Sequence, residues 1–188
     1  GTSIQQGGCA SRTGMVPSAM IQRDFNLECV NLATSGQARM DFYIAEAMAS
    51  IEDAICYVID PVPNCTKDRC DTATYDFINI LRTLRPEVPI VMVEGLMYPY
   101  TRHDSYHAEY LPQKNECFRR GFDQHVAENP KGMYYMTHEG QTGPDMEGTV
   151  DGVHLTDYGF RAYADLLEIV VKEALDDTDV DYDVEPAY

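Results

Sequence analysis

Basic residues are scarce in this sequence of 188 residues. Lysine and arginine together number 14 against 31 aspartates and glutamates, so the formal net charge is −17. Nucleic acids and anionic membrane surfaces are bound by basic faces, and the charge therefore argues against both kinds of partner. Two interpretations of the acidic excess stay open. It is either a solvated surface that aids solubility, or an adaptation to a salty habitat or against acidic substrates.

Long hydrophobic runs are absent as well. The longest apolar runs have the length of a strand and fall far short of the ~20 residues that a membrane span needs. Internal repeats and low-complexity segments are also absent. Hydrophobic residues make up 44% of the chain, which indicates a globular protein of one domain. We predict a domain over residues 1–175 and an acidic C-terminal tail over residues 176–188.

The six cysteines do not favour a zinc site, because no second close pair completes the ligand set. Cys29 and Cys56 lie in apolar runs and are expected to be buried thiols. Cys65 and Cys70 flank a polar loop. A disulfide between these two and a pair of free thiols both remain open.

Apolar residues alternate between strand-like and helix-like patterns along the chain. Such alternation predicts a parallel sheet with helices on both faces, hence a three-layer α/β fold. In these sheets ligands bind beyond the carboxyl ends of the strands. We predict strands over residues 28–33, 54–59, 88–93 and 132–137, and helices over residues 14–26, 36–51, 71–84, 116–128 and 156–175.

Ser3 is a candidate nucleophile. It stands between small residues, and a glycine pair follows at Gly7-Gly8, so the turn can expose the hydroxyl. At the far end of the chain, Asp151 stands three residues before His154. A histidine can act as the base for a serine hydroxyl when a carboxylate orients its ring.

Several blocks of the sequence resemble the SGNH hydrolases, also called GDSL esterases, in order and spacing. The blocks here are Gly1-Thr2-Ser3-Ile4, Gly36, Pro63-Asn64-Cys65-Thr66 and Asp151-Gly152-Val153-His154. The similarity is to a branch with a G-T-S-I start, a C-A-S-R-x-G continuation and a D-G-x-H-x-T-D-x-G-F final block. It covers roughly residues 1 to 175. In this branch Thr replaces the Asp of G-D-S, as it does here at Thr2.

The resemblance implies a flavodoxin-like, doubly wound parallel sheet in three αβα layers. It also implies a Ser3 nucleophile, a His154 base and an orienting Asp151. The oxyanion hole would be formed by the backbone N–H groups of Ser3 and Gly36 and by the side-chain amide of Asn64. It implies no cofactor and no metal.

The implied activity is hydrolysis of a short acyl ester, in particular an acetyl ester on a carbohydrate, by a secreted or cell-envelope protein. The partner would be a small-molecule or oligosaccharide ester. Two alternatives stay open. One is a lipid ester or thioester hydrolase with the same machinery, and the other is a non-catalytic glycan-binding module on the same fold.

The connection over residues 95–115 is rich in aromatic residues, whose faces suit sugar rings. We predict substrate contacts from Tyr98, Tyr100, His103 and Tyr106. His103 and His107 are four residues apart and would share a face on a helix, but the glutamate of the zinc protease signature does not follow His103. A substrate-contacting loop is therefore favoured over a metal site.

The family's sheet has a central first strand that leads into the nucleophile turn, and residue 1 already lies in that turn. A sheet without this strand leaves two rows of backbone groups unpaired, each buried group costing about 1–3 kcal/mol. We therefore expect the 188 residues to be part of a longer chain. Its upstream segment would supply a strand between residues 28–33 and 54–59.

Overall fold

A computed structural model describes residues 1–180 and residue 182, so most of the predicted tail lies outside the described residues. Its sheet contains three parallel strands, β1 (Tyr57–Ile59), β2 (Ile90–Val93) and β3 (Met133–Met136), in the order β1-β2-β3. All four residues of β2 are buried, as expected of a central strand that is covered on both faces. The helices are α1 (Ser3–Gln6), α2 (Pro17–Phe25), α3 (Phe42–Ala49), α4 (Lys67–Leu84), α5 (Ser105–Glu128) and α6 (Asp157–Asp176).

The helices cover both faces of the sheet. Helices α2 and α6 pack on one face, where Val91 and Val93 of β2 meet Phe160 and Tyr163. Helices α3, α4 and α5 pack on the other face against the alternate residues of the strands, such as Met92. The predicted three-layer α/β arrangement is confirmed, because successive side chains of each strand point to opposite faces and both faces are apolar.

The predicted strand over residues 28–33 is wrong. This segment is irregular, and Val30 and Leu32 are exposed. Side-chain hydrogen bonds take the place of a ladder: Asn31 Nδ2 donates to the carbonyl of Gln5 at 2.7 Å, and Asn31 Oδ1 accepts from the N–H of Ala33 at 3.0 Å. Among the described residues this segment does not pair with β1. The expected upstream strand therefore stays a prediction.

Two helix boundaries also differ from expectation. The region over residues 36–51 is helical only in α3, because Gly36 (φ +70°) and Met40 (φ +56°) have left-handed backbones that a helix excludes. Helix α5 begins at Ser105 rather than near residue 116 and continues through Pro112. Asp104 caps it by accepting from the N–H of His107 at 3.1 Å, which provides a start signal within the predicted connection.

All six cysteines are free thiols, including Cys65 and Cys70, which are both buried. Cys29 and Cys56 are partly buried and pack against the core, so they are less enclosed than expected. Within the described part of the chain, every helix is too short or too polar to cross a bilayer.

Candidate active site

Ser3 is the first residue of α1, a single helical turn. The Thr2 side chain is fully buried and caps the turn, since its hydroxyl accepts from the N–H of Ile4 at 3.4 Å. An aspartate here would bring a charge into a buried position, and a neutral hydroxyl avoids that cost. As the first helical residue, Ser3 has a backbone N–H with no intrahelical acceptor. That N–H is free to face a ligand.

The glycine pair after Ser3 lets the chain turn back across the serine. Gly7 ends α1 with φ +92°, and the N–H of Gly8 donates to the carbonyl of Ser3 at 2.7 Å. A Cβ on Gly8 would lie 3.2 Å from the Ser3 carbonyl oxygen and 3.5 Å from Cδ2 of His154. The absence of a side chain at residue 8 therefore lets the imidazole approach the serine.

Ser3, His154 and Asp151 form a continuous hydrogen-bonded chain. Ser3 Oγ lies 3.0 Å from His154 Nε2, and His154 Nδ1 lies 2.7 Å from Asp151 Oδ2. An ionised carboxylate only accepts, so Nδ1 carries the proton and Nε2 accepts from the serine hydroxyl. This is the tautomer that a general base for Ser3 requires.

Asp151 also accepts two backbone hydrogen bonds, from the N–H of His154 at 2.7 Å and from the N–H of Val153 at 2.9 Å. Hydrogen bonds from the His154 side chain and backbone hold the pKa of the Asp151 carboxyl well below its usual range. The carboxylate is therefore ionised at neutral pH and keeps the imidazole in one orientation.

The loop that carries His154 is tied to the start of α6. Thr149 pairs with Leu155 in an antiparallel bridge, and the N–H of Thr156 donates to the carbonyl of Gly148 at 2.9 Å. A Cβ on Gly159 would lie 2.0 Å from that same carbonyl oxygen. The final block of the sequence therefore needs glycine at residue 159, because its first helical turn passes directly over the loop backbone.

Gly36 lies in a loop that is bonded to α1. The N–H of Thr34 donates to the carbonyl of Gly1 at 2.9 Å, and the N–H of Ser35 donates to Gln6 Oε1 at 2.9 Å. No atom lies within 4 Å of the position that a Cβ of Gly36 would occupy. The loop is thus held beside the turn of Ser3, and the side-chain position of Gly36 faces open space.

Asn64 ends the short 3₁₀ turn Val62–Asn64 that follows β1. Its side-chain Oδ1 is buried and has no hydrogen-bond partner among the described residues. This oxygen only accepts hydrogen bonds, so an oxyanion cannot satisfy it, and the oxyanion role implied for Asn64 depends on its amide nitrogen Nδ2. Cys65, the next residue, contacts the carbonyl of Ala38 through Sγ at 3.9 Å, which brings the Asn64 turn beside the loop of Gly36.

Asp60 is a buried site residue that the sequence analysis missed. It directly follows β1 and accepts from the Tyr163 hydroxyl at 2.9 Å, and that hydroxyl accepts from Gln5 Nε2 at 2.8 Å. Burial raises the pKa of Asp60 to about 6, against the lowering effect of the Gly1 amino group and of hydrogen bonds from Tyr163 and Gln5. The network links α1, the end of β1 and α6 beneath Ser3. An aspartate directly after a buried strand was its only sequence signal.

The predicted substrate contacts occupy different positions. Tyr98 is 8% exposed, so it lines the interior with almost none of its ring open to solvent. Tyr100 is partly buried against Gly152, where a Cβ would lie 2.8 Å from Tyr100 Cδ1. Tyr106 is 65% exposed. His103 is exposed in the turn before α5, so it does not share a helix face with His107.

A second aspartate–histidine pair lies beside Tyr100 and was also missed. Asp104 Oδ2 lies 2.6 Å from His107 Nδ1. This repeats the spacing of three residues and the backbone bond of the Asp151–His154 pair. Each histidine ring is therefore oriented by the carboxylate three residues before it. Among the described residues, only His154 also contacts a serine hydroxyl.

Glu94, His138 and Glu139 form a cluster whose ligand atoms lie within 4.8 Å of one another. His138 Nδ1 is already hydrogen-bonded to Glu94 Oε2 at 2.7 Å, and this bond raises the pKa of His138. Two of the three ligand atoms are thus engaged with each other. The contact explains the cluster as a buried carboxylate hydrogen-bonded to an imidazole.

The GDSL-like Lipase/Acylhydrolase family matches residues 1–172 of this chain. A putative GDSL-like lipase from Bacteroides ovatus is similar in structure, with a TM-score of 0.88 and 31% identity over 94% of this chain and 52% of its own. The salicylyl-acyltransferase SsfX3 from a tetracycline biosynthetic pathway has a TM-score of 0.73 and 16% identity over 92% of this chain and 52% of its own.

A family two carbohydrate esterase from Clostridium thermocellum, in complex with cellohexaose, has a TM-score of 0.70 and 16% identity over 94% of this chain and 63% of its own. No curated protein matches this chain. The chain spans about half the length of the first two solved structures. Since the family match extends over almost the whole sequence, including the nucleophile turn and the His154 loop, the chain belongs to the GDSL-like lipase and acylhydrolase family.

Proposed function

We propose that this protein is a serine esterase that hydrolyses short acyl esters, in particular acetyl esters on carbohydrates. The observation that carries the proposal is the chain of contacts from Ser3 Oγ through His154 to Asp151, at 3.0 and 2.7 Å. These distances are those at which a general base activates a serine.

In the first half of the reaction, the Ser3 hydroxyl attacks the ester carbonyl and passes its proton to His154 Nε2. Asp151 stabilises the imidazolium that forms. The negative charge on the carbonyl oxygen is met by the backbone N–H groups of Ser3 and Gly36 and by the Asn64 amide. His154 then returns the proton to the leaving alcohol, which departs and leaves an acyl group on Ser3.

In the second half, water replaces the alcohol. His154 takes a proton from the water as it attacks the acyl-serine, and Ser3 leaves with that proton restored. The His154 side chain is 31% exposed, so water reaches the base directly. A second alcohol would use the same base, so acyl transfer, the reaction named for one structurally similar protein, would need a bound acceptor alcohol in place of this water.

The carbohydrate part of the proposal rests on the open site and on a structural neighbour. A Cβ at Gly36 would contact no neighbouring atom, which is compatible with a bulky alcohol beside it, and a carbohydrate esterase from Clostridium thermocellum shares the fold. A neutral sugar is also compatible with the net charge of −17. We place such an enzyme outside the cytoplasm, where acetylated glycans are found.

The test compares p-nitrophenyl acetate, a long-chain p-nitrophenyl ester and acetylated neutral oligosaccharides, with released acid as the readout. We expect turnover of both acetates and little turnover of the long-chain ester. Preference for the long-chain ester would instead support the lipid-ester alternative. No turnover of any ester by a folded protein would overturn the proposal and favour a glycan-binding module.

A further inference from the structure

Four aromatic rings contact one another in series at the start of α5, and we call them the aromatic row: Tyr100, His107, Tyr106 and Tyr110. Tyr100 meets His107 edge-on at 5.4 Å, and His107 meets Tyr106 edge-on at 5.1 Å. Tyr106 and Tyr110, four residues apart on the helix, stack at 5.4 Å with an interplanar angle of 13°.

One end of the aromatic row lies beside Asp151, and the other end lies near Asn64. Tyr100 packs on Gly152, the residue after Asp151, where a Cβ would be 2.8 Å from its ring. At the other end, the Tyr110 hydroxyl accepts from the N–H of Lys67 at 3.2 Å. Lys67 follows Asn64 by three residues, so the row extends from the triad carboxylate to the loop of the candidate oxyanion amide.

The exposed part of the aromatic row combines a flat apolar face with one oriented polar atom. Tyr106 is 65% exposed, and its stacking on Tyr110 restricts its rotamers before any ligand arrives. Asp104 accepts from His107 Nδ1 at 2.6 Å, which leaves Nε2 as a hydrogen-bond acceptor without a protein partner in the described parts of the chain. A preorganised ring and a fixed acceptor lower the entropic cost of binding.

We propose that Tyr106 and His107 form a second sugar-binding subsite, which holds a neighbouring residue of an acetylated oligosaccharide while the acetylated sugar lies at Ser3. The inference rests on the proposed function. Tyr106 is separated from Gly152 by two ring contacts, through Tyr100 and His107. We therefore assign Tyr106 to the neighbouring sugar, and Tyr100, which contacts Gly152, lies nearer the sugar that carries the scissile ester.

The charges beside the aromatic row differ at its two ends. Lys114 Nζ lies 6.0 Å from the centre of the Tyr110 ring. At the other end, burial raises the pKa of Tyr100, and the charges of Asp104 and Asp151 add to this rise. An acidic sugar at this position would face the same two carboxylates and be repelled. The Tyr106 face stacks on a pyranose ring, and His107 Nε2 accepts a hydrogen bond from one sugar hydroxyl.

The experiment compares kcat and KM for an acetylated neutral tetrasaccharide, an acetylated monosaccharide and p-nitrophenyl acetate. Tyr106→Ala and His107→Asn are the test variants. His107→Asn keeps the backbone N–H that donates to Asp104 at the start of α5. Tyr43→Ala is the matched control, because Tyr43 is equally exposed at 65% but lies on α3 outside the row.

We expect each test variant to raise KM for the tetrasaccharide by about tenfold, the effect of losing one oriented contact. The kcat and KM for the two smaller substrates should stay within about twofold of the wild-type values. Tyr43→Ala should match the wild type on all three. Equal losses on the monosaccharide and the tetrasaccharide, or no loss on either, would overturn the subsite.

A binding measurement separates this inference from the proposed function. Calorimetric titration of the wild-type protein and of Tyr106→Ala with the same tetrasaccharide without acetyl groups requires no catalysis. Weaker binding by the variant supports the subsite even if the protein hydrolyses no acetate. Equal affinity, or no binding by the wild type at millimolar concentration, contradicts it even if the esterase activity is established.

Discussion

Ser11 and Asp157 are joined across 146 residues of sequence. The backbone N–H of Ser11 donates to Asp157 Oδ1 at 3.0 Å, and the Ser11 hydroxyl donates to the other carboxylate oxygen. Ser11 follows the nucleophile turn, and Asp157 begins α6 directly after the His154 loop. The contact therefore fixes the distance between the segments that carry Ser3 and His154.

We expect Ser11→Ala and Asp157→Asn to lower kcat for p-nitrophenyl acetate several-fold with little change in KM, because the two segments lose alignment while the binding surface remains. Asp165→Asn is the control, since Asp165 is an exposed residue of α6 that pairs with Arg161. A loss in the control equal to that in the test variants would refute a specific role for the contact. Unchanged kcat in both test variants would do the same.

Ser3→Ala and His154→Ala should each remove nearly all esterase activity, by about 10³–10⁶ in kcat, because nucleophile and base act as one unit. Asp151→Asn should lower kcat by a smaller factor, because a poorly oriented imidazole can still accept the serine proton in part of the molecules. Circular dichroism spectra of all three should match the wild type. Substantial turnover by folded Ser3→Ala would remove Ser3 from the nucleophile role.

Asn64→Ala should lower kcat by about 10²–10³ and change KM little, since an oxyanion donor acts mainly in the transition state. Asn129→Ala, at the exposed C-terminal end of α5, is the matched control. The comparison uses p-nitrophenyl acetate, whose small acyl group needs no other contact. Wild-type kcat in the Asn64 variant would show that another group binds the oxyanion.

Asp60→Asn should change how stability depends on pH. The folded-state pKa of about 6 lies above the value of 3.8 for a solvent-exposed aspartate, so the folded protein holds this proton more tightly than the unfolded chain. The contribution of Asp60 to the free energy of unfolding is therefore greatest below pH ~4. About 1–3 kcal/mol of this contribution is lost as the pH rises through about 6. Asparagine keeps an acceptor for Tyr163 and carries no charge.

The measurement is the thermal midpoint of the wild type and of Asp60→Asn at pH 5 and pH 8. We expect the variant to gain stability relative to the wild type as the pH rises between these values. Asp53→Asn, an exposed residue, corrects for a general effect of removing one negative charge. A constant difference between Asp60→Asn and the wild type would show that Asp60 does not carry a raised pKa.

The sequence by itself was sufficient for the elements whose patterns are local. Strand β2 has a continuous apolar run, and α6 has one apolar face, so burial preference alone indicates their type and approximate place. The blocks around Ser3 and His154 were recognisable for a similar reason. A short turn with a glycine pair, and an aspartate three residues before a histidine, are geometries that neighbouring residues determine.

Tertiary structure decided the features that depend on distant partners. Residues 28–33 have the composition of a strand, yet a strand also needs a neighbouring ladder, and Asn31 bonds to α1 instead. The pKa of Asp60, the link between Ser11 and Asp157, and the aromatic row beside Gly152 all arise from residues that only folding brings together. Hydrogen bonds and burial act over a few ångströms in space, whatever the separation along the chain, and no local sequence pattern encodes that proximity.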